Sequence, residues 1–314
     1  MKIVSFDQIT SLNISPYTCY AWVSEGIRRK HEALLPAKIS LKPDIPGVFY
    51  NTMPSILPFA GYAGVKLVTR YPERAPSLDS EILLYDLESG KNLALLDGNW
   101  ITTMRTGAVA AHSVRLLAKQ DFSTIGMIGL GNTARAAFLV LLSLYPERQF
   151  TVKLKRYKDQ HELFAARFAA YANVKFVYCD SYEELVRGSE VVLSAVTMFE
   201  DDICPDDCFE EGVLLVPIHT RGFTNCDLFF DKVFADDVNH VKGFKNFGKF
   251  RSFAEVSDVV NGKVPGRTDD RERILAYNIG ISLHDIYFAG KIYELLAAHC
   301  PEADLRAPTE KFWI

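Results

Sequence analysis

No apolar run in this chain approaches the roughly eighteen residues that a bilayer-spanning helix needs. The opening residues, Met1 to Gln8, carry one lysine and no long apolar stretch, so no secretory leader is expected there and the cytoplasm is the expected location. Runs of like charge are missing too. The formal net charge is −4, so no basic field invites nucleic acid, and no membrane partner is expected. Six cysteines, at 19, 179, 204, 208, 226 and 300, lack the paired C-x-x-C spacing that gives zinc a sulfur cage. Reduced thiols are the default, and Cys204 and Cys208 read as isolated thiols in an acidic loop; no metal is expected. Internal repeats and low-complexity stretches are also lacking.

What the chain does have is bulk and pattern. With 314 residues and 48% hydrophobic content it can bury a large core, and its length suggests two domains. The most informative stretch is Ile128-Gly129-Leu130-Gly131-Asn132-Thr133-Ala134, between the apolar run Thr124 to Ile128 and the helix-like run Arg135 to Leu144. That is a strand, a glycine turn and a helix. Gly129 permits the tight turn, Gly131 lets backbone approach a pyrophosphate, and small Ala134 lets the helix pack on the strand. Phosphates would sit on the positive end of the helix. An ordinary βα corner is the plainer reading of the same glycines.

Upstream, Ser15-Pro16 offers an N-cap and a first-turn proline for a helix to about Lys30. Apolar runs follow at Val48 to Met53, Val65 to Thr69, Ile82 to Asp86 and Leu93 to Asp97, the last two forming a hairpin around Gly90. Thr102 is expected to cap the helix that carries Val109, Val114 and Leu117. Downstream, strands and helices alternate: Phe150 to Leu154, His161 to Tyr171, Val174 to Tyr178, Tyr182 to Arg187, Val191 to Val196, Gly212 to Val216 and Lys232 to Ala235. Alternation of this kind specifies a parallel sheet with helices on both faces. A strand at Ile274 to Tyr277 precedes a helix from Ile281 to Ala298 that crosses back to the first region. The fold class is therefore α/β, a Rossmann doubly wound parallel sheet plus a discontinuous α+β substrate and dimerisation domain. The expected boundaries are 1–118 with 281–314 for the latter and 119–280 for the dinucleotide-binding domain.

An NAD site ends its second strand in a carboxylate that binds the ribose hydroxyls. Here that end reads Lys153-Leu154-Lys155-Arg156-Tyr157-Lys158, with no carboxylate before Asp159. Lys155, Arg156 and Lys158 cluster where a 2′-phosphate would lie, so NADP is expected, with NAD as the alternative. Ser194, Val196 and Thr197, at the end of the fourth strand, are expected under the nicotinamide ribose.

Three segments together resemble the ornithine cyclodeaminase and μ-crystallin family: Gly64-Val65-Lys66, Ile101-Thr102-Thr103-Met104-Arg105-Thr106-Gly107-Ala108, and the glycine run Gly129 to Ala134. The resemblance runs with gaps from about Pro36 to Leu295. It implies a nicotinamide cofactor, a small amino or imino acid substrate and a homodimer. By position, Lys66 matches the lysine that contacts substrate, and Arg105 the arginine that clamps its carboxylate. Lys38 falls where the family has an arginine; it keeps the charge and loses the bidentate fork.

The chain departs from the family in the loop after the strand at Gly212. Cyclodeaminases carry a catalytic aspartate there, whereas this chain reads Pro217-Ile218-His219-Thr220-Arg221-Gly222, placing Thr220 or Arg221 at that position. His219 reads either as the proton donor or as a histidine bonded into the loop. Arg221 reads as a second carboxylate clamp or as an ion-pair partner of Asp227 or Asp236. In the last segment, Tyr277-Asn278-Ile279-Gly280 stands where the family has phenylalanine-lysine-serine-x-glycine, and Asp285 follows in the helix. The expected function is an NAD(P)-dependent oxidoreductase that reduces an imine or ketimine or oxidises a small amino acid. The alternatives are a cyclodeaminase using bound NAD, which the missing aspartate disfavours, and a non-catalytic binder of NADP or a small ligand.

Overall fold

The structure is a computed structural model; it describes the chain apart from residues 197–198, 200–201, 219–225, 305–309 and 312–314. The chain opens with β1 (Lys2–Val4) and α1 (Phe6–Ser11), the latter closed by a reciprocal Ser5–Gln8 capping box. Helix α2 (Pro16–Arg28) begins as expected, with the Ser15 hydroxyl accepting from the Thr18 amide and Pro16 in the first turn. Strands β2 (Ile39–Leu41), β3 (Phe49–Leu57), β4 (Tyr62–Arg70), β5 (Leu78–Asp86) and β6 (Asn92–Asp97) follow.

Helix α3 (Asn99–Leu117) starts earlier than its sequence suggested. The Asp97 carboxylate accepts from the Asn99 amide at 2.9 Å, so Thr102 lies inside the helix and does not cap it. Its hydroxyl instead meets that of Ser80 at 3.0 Å. Then come β7 (Thr124–Ile128), α4 (Asn132–Leu144), β8 (Phe150–Lys155), α5 (Gln160–Arg167), β9 (Val174–Cys179), α6 (Tyr182–Val186) and β10 (Val191–Ser194). The remainder is β11 (Leu214–Pro217), β12 (Lys232–Ala235), α7 (Val238–Val241), β13 (Phe253–Glu255), α8 (Val256–Val260), β14 (Ile274–Tyr277) and α9 (Ser282–Leu296).

These elements form two compact units. The first comprises Met1–Ile14, Glu32–Thr102 and Ser282–Ile314; the second comprises Ser15–His31 and Thr103–Ile281. In the first, a six-stranded sheet runs β1-β6-β5-β4-β3-β2, antiparallel except for β1 beside β6. Side chains alternate across it, so Lys66 and Val68 of β4 are buried while Leu67 is exposed. Helix α9 packs on β3, β4 and β5. Gly64 makes the close seat possible, because a Cβ there would lie 2.6 Å from Ile286 Cδ1.

In the second unit an eight-stranded sheet runs β13-β12-β14-β11-β10-β7-β8-β9 with every pairing parallel. Strand order reverses between β7 and β10, the switch point where such sheets open a crevice at their carboxyl ends. The central strands β10, β11 and β14 are buried throughout, which is why they read as continuous apolar runs without alternation. Phe138 of α4 packs against Phe150, Phe164 and Phe168 with ring centroids 6.5, 6.1 and 4.9 Å away. Phe244, Phe247, Phe250 and Phe253 are partly buried and pack against the core that includes Val233, Leu215 and Tyr277.

Helix α2 belongs to this second unit through a buried charge cluster just past its end. Lys30 Nζ lies 2.7 Å from Glu255 Oε2 and 3.1 Å from Asp237 Oδ2. Both carboxylates also cap α7: Glu255 accepts from the Val238 amide and Asp237 from the Asn239 amide. One lysine therefore ties α2 to the carboxyl end of β12.

His112 of α3 is buried, its ring centroid 5.7 Å from that of Tyr20 and its Nδ1 without a hydrogen-bond partner among the described residues. Burial pulls it down to about 4 from its ordinary 6.5. The unfolded chain therefore binds a proton that the folded chain refuses between those values, and stability falls as pH drops through that window. The shift amounts to roughly 3 kcal/mol at most. Denaturant titrations should show this loss between pH 6.5 and 4, and His112→Leu should remove this group's share of it.

Candidate active site

Strand β7 delivers the chain to Gly129, whose φ is +76°. A Cβ there would stand 3.0 Å from the carbonyl carbon and oxygen of Ala195 and from Val196 Cγ1, so both conformation and space demand glycine. Leu130 and Thr133 are half-buried and Asn132 is exposed. Gly131 is the N-cap of α4, with φ −75° and ψ −170° and no side-chain cap. A Cβ built on it meets nothing within 4 Å. The backbone at the start of α4 is therefore uncrowded on the side of Gly131, and room of this kind is what an anion approaching a helix start requires. Ala134 is buried, where a larger side chain would push α4 off the sheet.

Opposite the cradle, the Ala195 amide donates to the Ile128 carbonyl at 2.7 Å and holds the end of β10 beside it. Ser194 is fully buried, and its Oγ has no hydrogen-bond partner among the described residues. Val196 is half-buried. Thr197, His219 and Arg221 lie outside the described residues.

At the end of β8 the basic side chains spread over aromatic rings. Lys155 Nζ is 5.0 Å from the Tyr182 ring centroid, Arg156 Cζ is 5.3 Å from that of Tyr178, and Lys158 Nζ is 5.5 Å from that of Tyr157. Lys158 is in the left-handed region at φ +47°. Arg156 Nε also meets Asp180 Oδ1 at 3.1 Å, with 52% and 78% of the two side chains exposed. An exposed pair of this kind is worth about 0–1 kcal/mol, weak enough for a phosphate to displace. Sequence spacing could not show Asp180 here, because it comes from the end of the neighbouring strand β9. Nor does it single out Arg135 in the first turn of α4, whose Nε has no hydrogen-bond partner among the described residues. Burial, with Arg167 nearby, pulls that guanidinium below its ordinary value.

In the first unit, Lys66 stands at the middle of β4 between Met53 of β3 and Ile82 of β5. Its Nζ is 2.8 Å from Asp285 Oδ2 of α9. Lys38, just before β2, is half-buried. In the second unit Arg105 of α3 is only 1% exposed. Asn278, at the position where the family carries a lysine, is buried and donates from Nδ2 to Ser113 Oγ at 3.1 Å. The neighbouring Tyr277 hydroxyl donates to Asp227, which occupies that carboxylate. The six cysteines are buried and none is joined in a disulfide. Burial pushes Cys204 up to about 12, which removes it as a nucleophile at neutral pH.

A wholly parallel sheet with a glycine cradle at its switch point defines a protein of the doubly wound, Rossmann class joined to a second unit. The chain belongs to the ornithine cyclodeaminase/mu-crystallin family, whose model matches residues 4–299. It is similar to the Δ(1)-pyrroline-2-carboxylate reductase of Bacillus cereus, 25% identical over 265 residues that cover 77% of this chain and 80% of that protein. The ketimine reductase mu-crystallin of Mus musculus is 26% identical over 261 residues, covering 78% and 80%. Among solved structures, the Thermococcus litoralis Δ(1)-pyrroline-2-carboxylate reductase in complex with NADH and L-proline matches with a TM-score of 0.82 at 23% identity, over 95% of this chain and 98% of that one.

The two cradle glycines should respond differently to substitution. Gly129→Ala should cost about 1–3 kcal/mol of stability, from backbone strain and crowding against Ala195. Gly131→Val should cost only about 1 kcal/mol, from the poorer N-cap, while weakening nicotinamide dinucleotide binding by about tenfold or more, because its side chain fills only the open approach. Thermal melts and nucleotide fluorescence titrations check both.

Proposed function

We propose that the chain is an NADP-dependent imine or ketimine reductase, or an amino-acid dehydrogenase working the same step in reverse, acting on a small amino or imino acid. The observation that carries this reading is the open, glycine-led start of α4 beside a β8 end that bears Lys155 and Arg156 and no carboxylate of its own. Residues 129–134 would hold the diphosphate, and Lys155, Arg156 and Lys158 the 2′-phosphate, where guanidinium and ammonium donors suit a dianion. Ser194, Val196 and Thr197 would line the nicotinamide end. The bound dinucleotide supplies the hydride that reaches the imine carbon.

The rest of the chemistry falls to the protein. As hydride adds to carbon, the C=N π pair moves to nitrogen and takes a proton there. Lys66 is positioned by motif to supply or relay that proton, with His219 as the second donor. Arg105 would clamp the carboxylate through its planar fork, helped by Lys38, and Arg221 would meet a second acidic group on a longer substrate. Lys66 and Arg105 are both buried, which strengthens their charge interactions with a carboxylate substrate relative to water.

NADPH oxidation should be seen with Δ(1)-pyrroline-2-carboxylate or a related cyclic ketimine, or with a 2-oxo acid plus an amine. Arg156→Glu should raise the KM for NADPH by roughly 10–100-fold and change that for NADH little. Tighter binding of NADH than NADPH would remove the NADP assignment, and NADPH binding without oxidation by either substrate panel would favour a binder over an enzyme.

A homodimer is part of the same proposal. The sheet face away from α9 carries Ile39, Leu41 and Leu67, which are 57%, 61% and 38% exposed. Ile39 and Leu67 both pair with Thr52 of β3, so they share one face. Exposed apolar side chains gathered on a sheet in this way suit a second copy of the chain. Light scattering should report a dimer, and Leu67→Asp should shift it toward monomer without unfolding the sheet.

A further inference from the structure

The contact between β4 and α9 holds two opposite charges away from water. Lys66 Nζ and Asp285 Oδ2 are 2.8 Å apart, with side chains 1% and 0% exposed. The lysine is flanked across the sheet by Met53 and Ile82, both buried. Gly64, two residues back on the same face, allows Ile286 to come close, and that seat brings the adjacent Asp285 down onto the lysine. The start of α9 is fixed as well, because Ser282 Oγ donates to the Pro54 carbonyl of β3 at 2.8 Å. Asp285 is thus carried on a helix pinned to the sheet that bears Lys66.

A buried ammonium is tolerated only beside a compensating charge. A lysine also differs from an arginine in being a point charge on a flexible four-carbon stem, so its direction is set by whatever it is bonded to. Resting on the reading that Lys66 meets the substrate, we propose that Asp285 is a positioning residue. It keeps the Lys66 ammonium charged and aimed, so that the proton is offered to the substrate from one fixed place. Asp285 itself does not touch the reacting atoms. It comes from α9, not from the loop that carries the catalytic aspartate in cyclodeaminases, so it does not replace that group.

The variants Asp285→Asn, Lys66→Met and the double variant would be compared in the whole protein, with rates expressed per bound NADPH so that misfolded molecules do not count. Asp285→Asn should lower kcat for Δ(1)-pyrroline-2-carboxylate by about 10–100-fold with KM within about threefold, and NADPH affinity should hold. The double variant should be no worse than Lys66→Met, since removing the lysine leaves nothing to position. Wild-type kcat in Asp285→Asn, or losses that multiply in the double variant, would overturn the proposal. A second measurement needs neither turnover nor a folded variant at position 285. In the unaltered protein labelled with 15N-lysine, an ammonium resonance protected from solvent exchange should be present that vanishes in Lys66→Met, whereas any protected resonance from the buried Lys30 should remain. Absence of the Lys66 resonance would overturn the pairing, whereas its presence with no imine reduction by the unaltered protein would sink the reading of function and leave the pair standing.

Discussion

The approach of Gly129 to the end of β10 is the constraint on which the second unit turns. A left-handed residue at this point, with Ala195 backbone where a Cβ would be, fixes how the chain leaves β7 and where α4 starts. The start of α4 is held from a second side by α3, because a Cβ at Gly107 would sit 2.5 Å from the backbone of Ala136 and Ala137. Two close backbone approaches therefore aim one set of amides. A binding site built on main chain in this way is set by the fold itself, and side-chain motion cannot blur it.

Buried charge is handled alike in the two units. Lys66 with Asp285, and Lys30 with Asp237 and Glu255, each join segments far apart in sequence. Such groups contribute little net stability compared with apolar packing of the same volume, yet loss of one partner costs about 3–5 kcal/mol. Each links elements that come together only in the folded unit: α9 with β4, and the end of α2 with the segment after β12 and the end of β13. On α9 the ion pair acts together with the Ser282–Pro54 hydrogen bond and the close Gly64–Ile286 contact, on a helix face that is otherwise largely apolar toward β3, β4 and β5.

Local signals made the parallel sheet legible. The strands Thr124–Ile128, Lys232–Ala235 and Ile274–Tyr277 have the ends that their apolar runs indicated, and the Ser15-Pro16 helix start has its expected cap. Short elements were not legible. Strands β1, β2 and β13 have three residues each, too few for any period to register. Thr102 misled because Asp97, five positions earlier, bonds the Asn99 amide first and starts the helix sooner. In the candidate site, the glycine turn and the basic end of β8 are visible as sequence features because each is contiguous. The Asp285 carboxylate, the Asp180 partner of Arg156 and the place of α2 depend on pairings between distant segments. Asp285 drew notice by its position in a motif, but nothing in one dimension joined it to Lys66.

The order in which the segments leave the ribosome gives the β4–α9 contact a further meaning. The six-stranded sheet is complete once β6 has been made, but the helix that covers its inner face is encoded after all of the other unit. Until α9 arrives, that face and the Lys66 ammonium remain hydrated, and the sheet is a half-finished layer with apolar side chains on both sides. Emerging chains must therefore carry this unfinished sheet through most of translation, a window in which they are exposed to mispairing and to capture by chaperones.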